Sequence, residues 1–173
     1  MIPEIKKILY ATDLTKNSAY ASYFAADLAR RYNAKIIILH CVGLIAPSVY
    51  YEGPITDPSR SLQRAAEQKR EEHVAELKKR MQDYFRKEES RTGQPCADLV
   101  SETIVTSGYE VEKILDTADA KGCDLIVLGT HGKGWLKQTF LGSVSRSVLE
   151  RTRKPVFIVP LPSEETNIDW GLH

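Results

Sequence analysis

The sequence predicts an α/β domain built on a parallel sheet, with helices on both faces. Five short apolar runs alternate strictly with helical patterns, giving the order β-α-β-α-β-α-β-α-β. Four of the five runs are apolar at almost every position. Parallel strands covered on both faces read that way, because no face is left for water. At 173 residues and 42% hydrophobic content, the chain suits one domain with a core of its own.

The first run is Ile8-Leu9-Tyr10-Ala11, and after a polar turn of Thr15, Lys16 and Asn17 a helix follows. Its stripe is Ala21, Ala25, Leu28, Ala29 and Tyr32. Ile36 to Val42 is the second run, opening with three consecutive β-branched residues. Residues 43–59 then carry Pro47, Gly53, Pro54 and Pro58, with Tyr50 and Tyr51, and read as a long loop. From Arg60 to Arg91 the chain is dense in charge, with Val74, Leu77, Met81, Tyr84 and Phe85 on one helical face. Glu76/Arg80 and Asp83/Lys87 stand four residues apart in the favourable orientation. A long amphipathic helix with a solvated outer face accounts for all of this.

The third run, Leu99 to Thr106, puts Val100, Ile104 and Thr106 on one face and interrupts it with Glu102, as an outer strand would. Ser107-Gly108-Tyr109-Glu110 fits a capping box, with Val111, Ile114, Leu115 and Ala118 as the buried stripe and Lys121-Gly122 as the stop. Leu125 to Leu128 is the fourth run. A shorter helix marked by Val144, Val148 and Leu149 ends before Lys154-Pro155, and Val156 to Val159 is the fifth run.

Charge and composition exclude several functions. Lys plus Arg is 24 and Asp plus Glu is 23, a net +1, whereas binding through nucleic-acid phosphates calls for a basic excess. No apolar run reaches the roughly 20 residues of a membrane span, and the opening residues lack a signal peptide's apolar region. A cytoplasmic protein is therefore expected. Cys41, Cys96 and Cys123 form no C-x-x-C pair, and His40, His73, His131 and His173 show no metal-ligand spacing with them. Reduced structural thiols are the expectation.

Parallel α/β sheets bind ligands beyond the carboxyl ends of their strands, where the strand order reverses. The loop after the fourth run holds Gly129, Gly132 and Gly134 with Lys133 and Lys137, and leads to Gly142-Ser143 at a helix start. Glycine lets backbone N–H groups approach a phosphate, and the helix start adds free amides and positive dipole. The hydroxyls of Ser143 and Ser145 are further candidate donors. A P-loop is excluded because Gly134 is followed by Trp135 and Leu136. A dinucleotide fingerprint is excluded because the first turn, Ala11-Thr12-Asp13-Leu14, has no glycine.

The pattern present is Gly129-x2-Gly132-x9-Gly142-Ser143, and in it the sequence resembles the ATP-binding members of the universal stress protein family. At average residue usage a chance match in a chain this long has a probability of roughly 1% or less. Lys7 to Asp13, Asp124 to Gly129, Leu141 to Ser145 and Pro155 to Pro160 are similar to other landmarks of that family. The resemblance implies one nucleotide-binding domain over residues 1–160 and a tail over 161–173. It implies a doubly wound, Rossmann-like five-stranded sheet in the order 3-2-1-4-5, which puts the reversal between the first and fourth strands. Ala11, Thr12, Asp13 and the backbone near Val42 would hold adenine and ribose. Leu128, Gly129, His131, Gly132, Gly142, Ser143, Val144 and Ser145 would surround the ribose and phosphates. The implied ligand is ATP, or ADP or AMP, with Mg2+ or Mn2+ held mainly through the phosphates. It also implies a homodimer through Val156–Val159, where an open apolar edge invites pairing.

Three functions compete. The first is an ATP-binding regulatory protein of the stress response, carried by the complete glycine pattern and Asp13. A second is a nucleotide-independent partner-binding module, using the long helix and residues 43–59. An ATP-hydrolysing enzyme is the third. It lacks a dedicated nucleophile, with only His131 and Asp13 as candidate bases, so slow turnover at most is expected.

Overall fold

The computed structural model describes residues 2–42, 58–93, 97–130 and 141–160. Along the chain run β1 (Lys7–Thr12), α1 (Lys16–Tyr32), β2 (Lys35–Val42) and α2 (Pro58–Thr92). A short 3-10 turn over Ala97–Leu99 leads to β3 (Val100–Ser107), α3 (Glu110–Ala120), β4 (Leu125–Gly129), α4 (Ser143–Arg151) and β5 (Val156–Val159). The five strands form one parallel sheet in the order β3-β2-β1-β4-β5. The strand order reverses between β1 and β4, as the family resemblance implied.

Alternate residues of each strand serve opposite cores. Ile8, Tyr10, Ile36, Ile38, Leu125 and Val127 face the alanine stripe of α1 and the Met81, Tyr84 and Phe85 side of α2. Leu9, Ile37, Leu39, Ile126 and Leu128 face Ile114 and Ala118 of α3 and Val148 of α4. The alanines Ala21, Ala25 and Ala29 are fully buried, and their small size lets α1 lie close to the sheet. On the described part of α2 the inner face is shielded and the outer face is solvated. Met81 is fully buried while Glu76 and Arg80 pair at 2.5 Å on the outside.

Three sequence expectations are corrected. Pro58 belongs to α2 rather than to the preceding loop, because its fixed φ and missing N–H suit the first position of a helix. The capping box at 107–110 does not form. Ser107 pairs with Val42 as the last residue of β3, Gly108 turns the chain at φ 138°, and Tyr109 caps α3 without a side-chain hydrogen bond. Asp83 pairs with Arg86 at 4.0 Å rather than with Lys87. The shorter helix marked by Val144, Val148 and Leu149 is α4, in which Val148 is fully buried and Leu149 is 44% exposed. The stop of α3 is as expected, with Gly122 at φ 62° and the Cys123 N–H donating to the Ala118 carbonyl at 2.8 Å. Glu102, the interruption in β3, pairs with Lys121 at 2.8 Å, next to the irregularity in the β2–β3 register.

Candidate functional site

All five strands are parallel, so their carboxyl ends lie along one edge of the sheet. At the reversal, β1 and β4 are direct neighbours, with Tyr10 opposite Val127. On the other side of β1, Thr12 stands opposite His40, and β2 ends two residues later at Val42. The carboxyl ends of β1, β2 and β4 therefore bring Ala11, Thr12, Val42, Leu128 and Gly129 to one region.

The turn after β1 is held by its own side chains. Asp13 Oδ1 accepts from the Thr15 N–H at 3.0 Å and from its hydroxyl at 2.7 Å, a turn-forming habit of Asp. Thr12 is buried; its Oγ1 accepts from the Leu14 N–H at 3.0 Å and donates to Ser18 Oγ at 2.8 Å. The Ser18 hydroxyl in turn donates to the Thr15 carbonyl at 2.9 Å. Thr15 caps α1, accepting from the Ser18 N–H. Within this net Leu14 sits at φ 64°, a left-handed conformation that costs a non-glycine residue about 1–2 kcal/mol. The Tyr10 hydroxyl donates to the Ser18 carbonyl, and burial pushes its pKa well above the ordinary tyrosine range.

Across the reversal, α4 is fastened to the end of β4. The Gly142 N–H donates to the Thr130 carbonyl at 2.6 Å, and the Thr130 N–H donates to the Val159 carbonyl at 2.9 Å. Ser145, 5% exposed, donates from Oγ to the Gly129 carbonyl at 2.7 Å. Its hydroxyl, a candidate ligand donor in the sequence, is thus engaged inward on the strand. Ser143 is exposed at the first position of α4, and Val144 is half-buried beside it. Gly142 is the N-cap, and among the described residues no side chain caps this helix start. The first-turn amides and the positive end of the helix dipole can therefore receive an anion.

His131 and Gly132, with Lys133, Trp135 and Lys137, lie outside the described residues, as does the 43–57 segment. Among the described residues no group of three or more His, Cys, Asp or Glu could hold a metal ion, and no helix is long and apolar enough to cross a membrane. Cys41, near the end of β2, lies 3.3 Å from the Gly108 carbonyl, and burial, helped by Glu110, pushes its thiol up. A thiol held protonated is a poor nucleophile.

Sequence reasoning missed the polar floor of this region. His40 is buried with Nδ1 2.8 Å from the Thr12 carbonyl oxygen, and Ser18 joins Thr12 to α1. A histidine at the end of an isoleucine row was the available signal for the first. The partners of Ser18 depend on a turn whose geometry no spacing rule encodes.

Residues 4–160 match the Universal stress protein family. Universal stress protein YxiE of Bacillus subtilis is 32% identical over 155 residues, covering 88% of this chain and 97% of that protein. Universal stress protein MJ0577 of Methanocaldococcus jannaschii is 27% identical over 158 residues, covering 89% and 94%. The solved MJ0577 structure superimposes with a TM-score of 0.62 at 24% identity, over 94% of this chain and 100% of that one. A universal stress protein solved in complex with cAMP has a TM-score of 0.55 at 22% identity, covering 91% and 98%. At these identities the structural likeness bears on the fold.

Proposed function

The chain belongs to the universal stress protein family, and from that premise we propose that it is a regulatory module binding an adenine nucleotide, foremost ATP. The observation that carries this reading is the pair of anchored elements at the strand-order reversal. On one side stands the Asp13 turn, hydrogen-bonded through Thr15. On the other is the start of α4, tied to β4 through Gly142 and Ser145. Adenine and ribose would lie against Ala11, Thr12, Asp13 and the Val42 backbone. The phosphates would meet Gly129, His131, Gly132 and the amides of Ser143, Val144 and Ser145.

The described residues fit such a group. Gly142 has φ −63° and ψ 158°, ordinary extended backbone that any residue adopts, so torsion alone does not call for glycine there. Absence of a Cβ does give an anion close access to the first-turn amides that follow. Mg2+ or Mn2+ would enter with the nucleotide, held chiefly by phosphate oxygens and water, as is usual for Mg2+. Ser145 would act by fixing the helix start rather than by donating its hydroxyl. A relative solved with cAMP makes the cyclic nucleotide the second ligand to test. The proposed setting is the cytoplasm, and the proposed assembly is a homodimer joined at β5, which the sheet leaves as an edge.

Mass analysis of nucleotide released from the purified protein, followed by calorimetric titration with Mg-ATP and with cAMP, tests the reading. Binding that is lost in Gly132→Ala and Gly142→Ala supports it. If the wild-type protein binds neither ligand, the reading falls and the nucleotide-independent partner module takes its place.

A further inference from the structure

Residues Ile36, Ile38 and His40 form one row on the inner face of β2. Both isoleucines belong to the core against α1 and α2, whereas His40, 6% exposed, puts an imidazole where an aliphatic side chain would pack. A buried polar ring is costly unless it makes a hydrogen bond. His40 Nδ1 lies 2.8 Å from the Thr12 carbonyl oxygen. A carbonyl only accepts, so Nδ1 carries the hydrogen.

Thr12 is the residue on which the following turn is built. Its main-chain oxygen is taken by His40, and its hydroxyl accepts from the Leu14 N–H and donates to Ser18. Asp13, between Thr12 and the left-handed Leu14, has its carboxylate turned onto Thr15. Backbone in that region persists only where the surroundings over-determine it. Three holds on consecutive residues do so here, and His40 supplies the one that reaches across from the neighbouring strand.

We propose that His40 is a positioning residue. By donating to the Thr12 carbonyl it fixes the end of β1, and so sets the orientation of the Asp13 turn that faces the nucleotide crevice. The proposal rests on the nucleotide reading for its binding consequence alone; the hold on the turn exists in the free protein.

The test compares wild type with His40→Leu and His40→Asn, and with Ile36→Val as a control for general destabilisation. An Asn amide can place an N–H donor where Nδ1–H stands. Two quantities are read on the full chain: hydrogen exchange of the Leu14 and Thr15 amides by NMR, and the dissociation constant of Mg-ATP by calorimetry. His40→Leu is expected to speed exchange at both amides and to weaken binding, each by about tenfold, as the loss of one hydrogen bond predicts. His40→Asn should stay within about threefold of wild type in both, and Ile36→Val should change neither.

The proposal is overturned if His40→Leu keeps wild-type protection and affinity, or if His40→Asn is as impaired as His40→Leu. Should His40→Leu not fold, His40→Gln takes its place, because the longer amide reaches the position of Nε2 rather than Nδ1. Equal behaviour of the Gln and Asn variants then overturns the proposal. If wild type binds neither Mg-ATP nor cAMP, the nucleotide reading fails, and the exchange measurement alone decides on His40.

Discussion

The Ser145 hydroxyl donates to the Gly129 carbonyl at 2.7 Å, joining the first turn of α4 to the last residue of β4. Together with the 2.6 Å bond from the Gly142 N–H to the Thr130 carbonyl, it fastens the start of α4 to the end of β4. The amides of the first turn of α4 are thus held at a fixed place relative to the end of β4, and sites built on such rigid elements are the precise ones.

Removing that hydroxyl leaves a carbonyl short of a partner beside a buried side chain. Ser145→Ala is expected to cost about 1–2 kcal/mol of stability, read as a lower urea midpoint with an unchanged slope. Because that hold on the helix start is then lost, Mg-ATP binding should weaken as well. A Ser145→Ala protein with wild-type stability would show that the bond contributes nothing net.

Gly142→Ala separates conformation from space. Its φ of −63° and ψ of 158° are open to alanine, which gains about 0.4–1 kcal/mol through the unfolded chain. Alanine is also a poorer N-cap than glycine, so the two effects offset, and stability should stay within about 1 kcal/mol of wild type. Affinity for Mg-ATP should nonetheless fall at least about tenfold if a phosphate approaches the amides there. A variant that unfolds early, or one that binds normally, contradicts this account.

Much of the fold was legible because its signals are local. Runs such as Ile36 to Val42 have no polar face, so a strand covered on both sides was the economical reading. The glycine pattern from Gly129 to Ser143 is a spacing, carried by the order of residues alone. What the sequence obscured depends on distant partners. Ser107 has the hydroxyl of a helix cap, yet β2 recruits it as the end of β3, a tertiary override of local preference. In the candidate site, Asp13 was legible as the acid after the first strand. The bond from His40 to Thr12 spans 28 residues and could be seen only once the strands were paired.

A pH-dependent contribution to stability comes from the contact between α1 and α2. Glu88 accepts from the Tyr23 hydroxyl at 2.5 Å and from Arg91 at 2.7 Å. Burial alone would raise its carboxyl, but the hydrogen bonds from Arg91 and Tyr23 prevail and hold it below the usual carboxylate range. A folded value lower than the unfolded one, about 4.3, gives stability that is present above that pH. That stability is lost as pH falls through the depressed folded value. Glu88→Gln should therefore cost about 1 kcal/mol at neutral pH, a modest figure because Arg91 is largely solvated. The gap between the two proteins in urea midpoint should close as the pH drops below about 4. A gap that does not change with pH would assign the effect to packing.

The last prediction concerns the free edge of the sheet. The Ile126 N–H donates to the Pro155 carbonyl and the Thr130 N–H to the Val159 carbonyl. The main-chain groups of odd-numbered residues in β5 thus face β4, and those of Val156 and Ile158 face outward. If two copies pair along this edge, Ile158→Pro removes an outward donor while leaving the bonds to β4 in place. Ile158→Ala keeps that donor and loses only side-chain contact, at a cost of about 1–3 kcal/mol for this half-buried position. In sedimentation at micromolar concentration, wild type and Ile158→Ala should run at twice the 19.5 kDa chain mass, and Ile158→Pro at that mass. A monomeric wild type would end the proposal of a β5 homodimer. A dimeric Ile158→Pro would move the interface to another face of the molecule.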